Sequence, residues 1–165
     1  MKRTLVAWVE DEPGALNRIV SLFRRRLFNI ASLTVGSTER PGISRMTIVL
    51  DSGQTPSDRL AGHLRKLVNV VRVEDVTDRP AVLHDLAVVK VQTETETRGD
   101  VMQVAVASGA RVVDVGPCTV TVETTGTEES VDALVAQLRP FGIAEMVRTG
   151  RVAMLRDDAS AGWKE

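Results

Sequence analysis

The 165-residue chain has one cysteine, no tyrosine, three Phe, two Trp and two His. A lone Cys118 excludes an internal disulfide framework and accords with a reducing compartment. Scarce aromatics weigh against a single-strand nucleic-acid module, which stacks bases on aromatic side chains of its central strands. Neither charge sign is in excess: 21 Lys plus Arg face 22 Asp plus Glu, so no global field draws nucleic acid or an anionic membrane. No apolar run approaches the roughly 18 residues that read as a membrane span, and no signal-peptide pattern is present. A soluble, cytoplasmic protein is therefore expected, with no nucleic-acid and no membrane partner. His63 and His84 have no cysteine or second histidine nearby, so packed or surface positions are favoured over metal ligation. Cys118 lacks a basic neighbour that would lower its pKa and is expected to be a buried filler rather than a nucleophile. Phosphate-binding glycine loops, G-x-S-x-G and paired-histidine motifs do not occur.

What is present is a regular alternation of period 2 and period 3.6, the signature of strands interleaved with helices. "TLVAWVE" reads as a strand. Leu16, Ile19, Val20, Phe23 and Leu27 recur at helical spacing, so residues 15–27 are expected to form a helix with these on its core face. "NIASLTVGST" and "ISRMTIVLD" are β-rich runs joined by "ERPG", a connection of hairpin length. A helix from about Ser57 to Val68 and a strand "VVRVEDVT" complete a β-α-β-β-α-β order, the ferredoxin-like arrangement. "TDRP", residues 77–80, reads as a linker. Beyond it the order repeats: "LHDLAVVKVQT", a short helix over 100–108, "ARVVDVGP", "CTVTVETT", a helix over 128–138, and "IAEMVRTGRVAML" as the last strand. The expected fold class is α+β, two tandem ferredoxin-like βαββαβ domains over residues 1–77 and 81–158. Residues 159–165 are expected to form a flexible tail with Trp163 as its one anchor.

The stretch "EDEPGALNRIVSLFRRRLFNI", residues 10–30, puts three acids, a proline and a glycine immediately before the first helix. Pro13 suits a first helical turn, where its missing N–H would have no intrahelical partner, and Asp11 is placed to cap the helix. Gly14 is the odd choice, because glycine in a helix costs about 1 kcal/mol relative to alanine. Close packing on a strand, or a backbone angle that only glycine adopts freely, would explain it. Approach of a ligand to bare backbone would explain it equally. The free N–H groups of a first turn attract a carboxylate by roughly 0.3 to 1 kcal/mol, and Asp11 beside them would accept an ammonium group. Anion and cation acceptors side by side describe a zwitterion site. Glu10 and Glu12 fit a solvated loop better than a ligand set. The run Arg24–Arg25–Arg26 is read as a solvated helix end complementing the helix dipole, in preference to a phosphate-binding patch.

The run "PGALNRIVSLFRRRLFNIASLTVG", with "SRMTIVL", resembles the N-terminal ACT domain of the regulatory (small) subunit family of acetolactate synthase. The likeness continues through "LRKLVNVVRVEDVT" and, more loosely, "LAVVKVQ", "GARVVDVGP" and "VRTGRVAMLR". It implies a non-catalytic partner that binds and activates the large subunit and confers feedback inhibition by a branched-chain amino acid, usually valine. It further implies a homodimer, with the first domain an ACT domain and the effector lying at the interface of two such domains. Carried over, Gly14, Ala15 and Leu16 become backbone donors to the effector carboxylate, Asp11 a side-chain contact, and Asn29 and Ile30 contributions of the partner chain. Family members often carry asparagine where Asp11 stands; an aspartate still accepts from an ammonium group but repels a nearby carboxylate. No cofactor is expected in this chain: thiamine diphosphate, Mg²⁺ and often FAD belong to the catalytic subunit. The second half lacks the Pro-Gly pair and is expected to carry no effector, contributing to contact with the large subunit or to dimer packing. A free-standing ACT-type amino-acid sensor is the alternative, and an RNA-binding module a more distant one.

Overall fold

A computed structural model describes residues 2–51 and 57–156. The sequence expectations for residues 159–165, Trp163 included, lie outside them. Two compact units are present, Met1–Val82 with the returning segment that starts at Gly150, and Leu83–Thr149.

The first unit runs β1 (Lys2–Glu10), α1 (Ala15–Arg25), β2 (Asn29–Ser37), β3 (Ile43–Asp51), α2 (Ser57–Leu64) and β4 (Val70–Asp75). Its strands form one antiparallel sheet in the order β2-β3-β1-β4, so β2 is an edge. Alternation along β1 sends Leu5, Ala7 and Val9 into the helix-side core, where they meet Ile19 and Phe23 of α1 and Leu64 of α2. The buried stripe of α1 is Ala15, Ile19 and Phe23. Leu16 and Val20 of the expected core face sit at its rim and remain partly exposed, and Leu27 lies beyond the helix in solvent. α2 also stops earlier than the periodicity suggests, which leaves Val68 outside it and exposed.

The opposite face of this sheet is covered as well. Val6, Thr47 and Val49 are buried there. The cover is the segment from Gly150: Arg45 Nη2 donates to the Ala153 carbonyl at 2.6 Å and Arg151 Nη1 to Thr4 Oγ1 at 3.3 Å. A Cβ on Gly150 would stand 2.7 Å from Thr34 Oγ1 and 3.2 Å from the Leu33 nitrogen, so only glycine allows this approach to β2. Trp8, on the same face, has the Arg45 guanidinium 4.5 Å and the Arg72 guanidinium 4.9 Å from its ring centroid.

The second unit contains most of β5 (Ala81–Gln92), then α3 (Arg98–Ala107), β6 (Arg111–Val115), β7 (Thr119–Gly126), α4 (Glu128–Leu138) and β8 (Ile143–Arg148), in the sheet order β6-β7-β5-β8. Its core gathers Val89, Val91, Val120 and Val122 under Val101, Ala105, Leu134 and Leu138. α4 begins where its sequence signals place it, with Thr127 Oγ1 accepting from the Ser130 N–H at 3.3 Å. The expected single last strand is two: β8 ends at Arg148, and β9 (Val152–Leu155) pairs with β5 after the turn at Gly150. Both halves thus carry the βαββαβ order.

Candidate functional site

Between β1 and α1 the chain makes a tight turn. The Ala15 N–H donates to the Glu12 carbonyl at 3.1 Å around Pro13 and Gly14. Gly14 has φ +89° and ψ −6°, close to the third position of a type II turn, which favours glycine. No atom lies within 4 Å of where its Cβ would be. The backbone angle therefore explains the glycine within this chain, close packing does not, and the space in front of it is open.

The first intrahelical bond runs from the Arg18 N–H to the Gly14 carbonyl at 3.1 Å. The N–H groups of Gly14, Leu16 and Asn17 have no hydrogen-bond partner among the described residues. That of Ala15 is already engaged in the turn. No side chain caps α1, so Asp11 does not take the capping position its sequence suggested. Its N–H instead donates to the Gly42 carbonyl at 2.8 Å, while its exposed carboxylate has no partner among the described residues.

The neighbouring acids are held inside the chain. Asn69, 4 % exposed in the turn just before β4, donates from Nδ2 to Glu10 Oε2 at 3.2 Å and to Glu12 Oε2 at 3.0 Å. Its backbone carbonyl accepts from the Glu10 N–H at 2.9 Å, and its Oδ1 accepts from Arg18. Asn69 and Arg18 were not singled out from sequence. The available signal was a polar residue inside the apolar run "LVNVV", which must find partners if buried.

Asn29 and Ile30 lie elsewhere. Lys2 and Asn29 both pair with Asp51, whereas Glu10 pairs with Ile43. The start of β2 is thus at the end of the sheet opposite the Gly14 turn, roughly 27 Å away along a nine-residue strand. Within one chain these two groups of residues do not meet. Ile30 packs against the core, Asn29 is exposed, and the register of β2 shifts between Ile30 and Ser32, a bulge on an edge strand.

Other candidates form no site. Cys118 is exposed in the turn between β6 and β7, because the turn carries its side chain out of the sheet's alternation; it is not a buried filler. Among the described residues no three His, Cys, Asp or Glu gather as a metal site, and no helix is long and apolar enough to cross a membrane.

A βαββαβ unit with an open glycine turn and unpartnered amides at its first helix is the architecture of an ACT domain, and residues 5–72 match the family described as "AHAS small subunit-like ACT domain". Residues 84–157 match the family described as "Small subunit of acetolactate synthase". The chain belongs to the acetolactate synthase small-subunit family. It is 41 % identical over 156 residues to a probable acetolactate synthase small subunit of Archaeoglobus fulgidus, covering 94 % of this chain and 98 % of that one. It is 41 % identical over 159 residues to the acetolactate synthase small subunit of Mycolicibacterium smegmatis, covering 96 % and 94 %. A crystal structure of the acetolactate synthase small subunit from Thermotoga maritima superposes with a TM-score of 0.88 at 30 % identity, over 94 % of this chain and 98 % of that one.

Proposed function

We propose that the chain is the non-catalytic regulatory subunit of a cytoplasmic acetolactate synthase. It binds and activates the catalytic subunit and confers feedback inhibition by a branched-chain amino acid, valine foremost. Thiamine diphosphate, Mg²⁺ and FAD belong to the catalytic subunit in this reading. The observation that carries it is the open turn at Gly14, with unpartnered amides of Gly14, Leu16 and Asn17 beside the free Asp11 carboxylate. The amides receive a carboxylate and Asp11 an ammonium group, while the half-exposed Leu16 offers apolar surface. The N–H of Ala15 contributes only if the turn bond to Glu12 opens.

A second copy completes the site. Two β2 edges paired antiparallel about a two-fold axis bring the Asn29 end of one strand to the Ser37 end of the other, the end at which the Gly14 turn lies. Asn29 and Ile30 of each chain then face the turn of its partner, and the open edge disappears. Binding at 0.1 to 1 mM requires only about 4 to 5.5 kcal/mol, within reach of a half-buried zwitterion. Feedback requires in addition that the effector prefer one arrangement of the assembly by about 1 to 3 kcal/mol.

Calorimetric titration of the protein with valine, then leucine, isoleucine and serine, tests the reading. Saturable binding that prefers valine, one effector per chain, supports it. Effector binding without any affinity for the catalytic subunit would make the chain a free-standing sensor, and no binding at all would overturn the effector site.

A further inference from the structure

α1 ends in a Schellman turn. The Phe28 N–H donates to the Phe23 carbonyl at 3.1 Å and the Leu27 N–H to the Arg24 carbonyl at 3.1 Å, with the Phe23 and Phe28 rings edge to face at 6.3 Å. Such a turn needs its residue after the C-cap in the left-handed region, where glycine is the favoured occupant. Leu27 occupies it at φ +59°, the one described non-glycine residue with positive φ, and its side chain is 93 % exposed. Phe23 and Phe28 already supply the apolar contact the turn uses, so the leucine side chain does nothing for its own chain. It is held in water on a backbone that resists it.

The surroundings are cationic. Arg24 and Arg25 fill the last turn of α1 and Arg26 is its C-cap; all three are exposed and none forms an ion pair among the described residues. The helix dipole accounts for cations at this end. It does not account for exposed Arg59 of α2 and exposed Lys66 in the turn after that helix, whose charges act with that of Arg26 on His63. The chain as a whole carries a net charge of −1, so this is a local concentration. A polyphosphate would use the cations and leave the leucine in water. A protein surface with a shallow apolar pocket ringed by carboxylates uses both.

We infer that Leu27, together with the exposed Arg24, Arg25 and Arg26 that lead into it, is a docking knob for a carboxylate-rimmed apolar pocket on the catalytic subunit. The identity of the partner rests on the proposed function above. Leu27 is two residues from Asn29, at the start of the strand assigned to the effector. An effector that orders Asn29 and Ile30 therefore acts on the presentation of the knob directly.

The full-length protein is titrated with purified catalytic subunit at low and moderate salt, as wild type, Leu27→Gly and Arg24→Glu/Arg26→Glu. Leu27→Gly relieves the backbone and is expected to melt no lower than wild type, yet to bind the catalytic subunit at least tenfold more weakly. The charge-reversed protein is expected to bind at least tenfold more weakly at low salt and to lose most of the salt dependence, with valine binding unchanged. Wild-type affinity in both variants would overturn the docking knob while leaving the proposed function intact. Weakening by the arginine changes alone, with binding of inorganic polyphosphate by the wild type, would also overturn it in favour of a phosphate site. A wild type that never binds the catalytic subunit would overturn the regulatory reading and this inference with it.

Discussion

Asn69 holds Glu10 twice, donating from its side-chain amide to Glu10 Oε2 at 3.2 Å and accepting the Glu10 N–H on its backbone carbonyl at 2.9 Å. The same amide reaches Glu12, and the same side chain accepts from Arg18, so one buried residue spans both ends of the turn that presents Gly14. Asn69→Ala removes the side-chain hydrogen bonds to Glu10, Glu12 and Arg18, whose exposed or half-buried groups turn to water instead, for a loss of about 1 kcal/mol in stability. Valine affinity is expected to fall at least fivefold beyond what a control of equal stability loss shows. Hydrogen exchange over residues 10–18, compared with the remainder of the chain, separates a loosened turn from a loosened fold.

Gly14→Asp and Gly14→Ala form an informative pair. Either side chain meets open space, but at φ +89° any L-residue is strained by about 1 to 2 kcal/mol, so both variants are expected to melt a few degrees lower. Only the aspartate sets a carboxylate against the unpartnered amides. Abolished valine binding in Gly14→Asp with partial binding in Gly14→Ala is the expected outcome, and activation of the catalytic subunit survives in both. Equal loss in the two variants would locate the effect in the backbone.

His63 titrates below the usual 6.5, lowered first by partial burial and then by the charges of Arg26, Lys66 and Arg59. Above that ordinary value the imidazole is neutral both folded and unfolded and contributes nothing. As the pH falls below it, the unfolded chain takes the proton first, so this residue's contribution destabilises the fold towards acid. A carboxylate-rimmed partner set against the same arginines reverses the local field. The His63 imidazole resonances in an NMR titration are therefore expected to report a higher pKa in the complex, and docking to tighten as the pH is lowered through that range. A pKa unmoved by the partner would place the contact elsewhere.

Gly150→Ala pushes a methyl group into Thr34 Oγ1 and the Leu33 nitrogen. Backbone cannot yield as a flexible side chain can, and a cost of about 1 to 3 kcal/mol is expected. In a Trp163→Phe background, a red shift of the remaining Trp8 fluorescence would show that the cover over Val6 and Trp8 had lifted.

Element order was legible because helical and strand periods alternate without interruption, and α4 was legible to its ends because Val131, Leu134, Val135 and Leu138 keep a clean helical spacing. Periodicity alone does not know where a helix stops. Leu27 continues the spacing of Ile19 and Phe23, yet the chain leaves the helix after Arg25 and the residue points into water. Val68 fails in the same way beyond Leu64. The turn at Gly14 could be located from Pro-Gly, but not the reason for its glycine, since an angle and a close contact leave the same letter. Asn69 stood out only as a polar residue in an apolar run, and its partners could not be read because they are more than fifty residues away. The break between β8 and β9 was missed because Arg148 to Leu155 keeps strand-like composition across the glycine.

The cover supplied by Gly150 to Leu155 also sets an order of events during synthesis. The sheet of the first unit can pair as soon as Asp75 has left the ribosome, but Val6, Thr47 and Val49 stay wet on one side until a further eighty or so residues have been translated. The earliest strand of the chain is thus among the last to be sealed, and a nascent chain stalled within the second unit presents a half-dry sheet to the chaperones that scan for one.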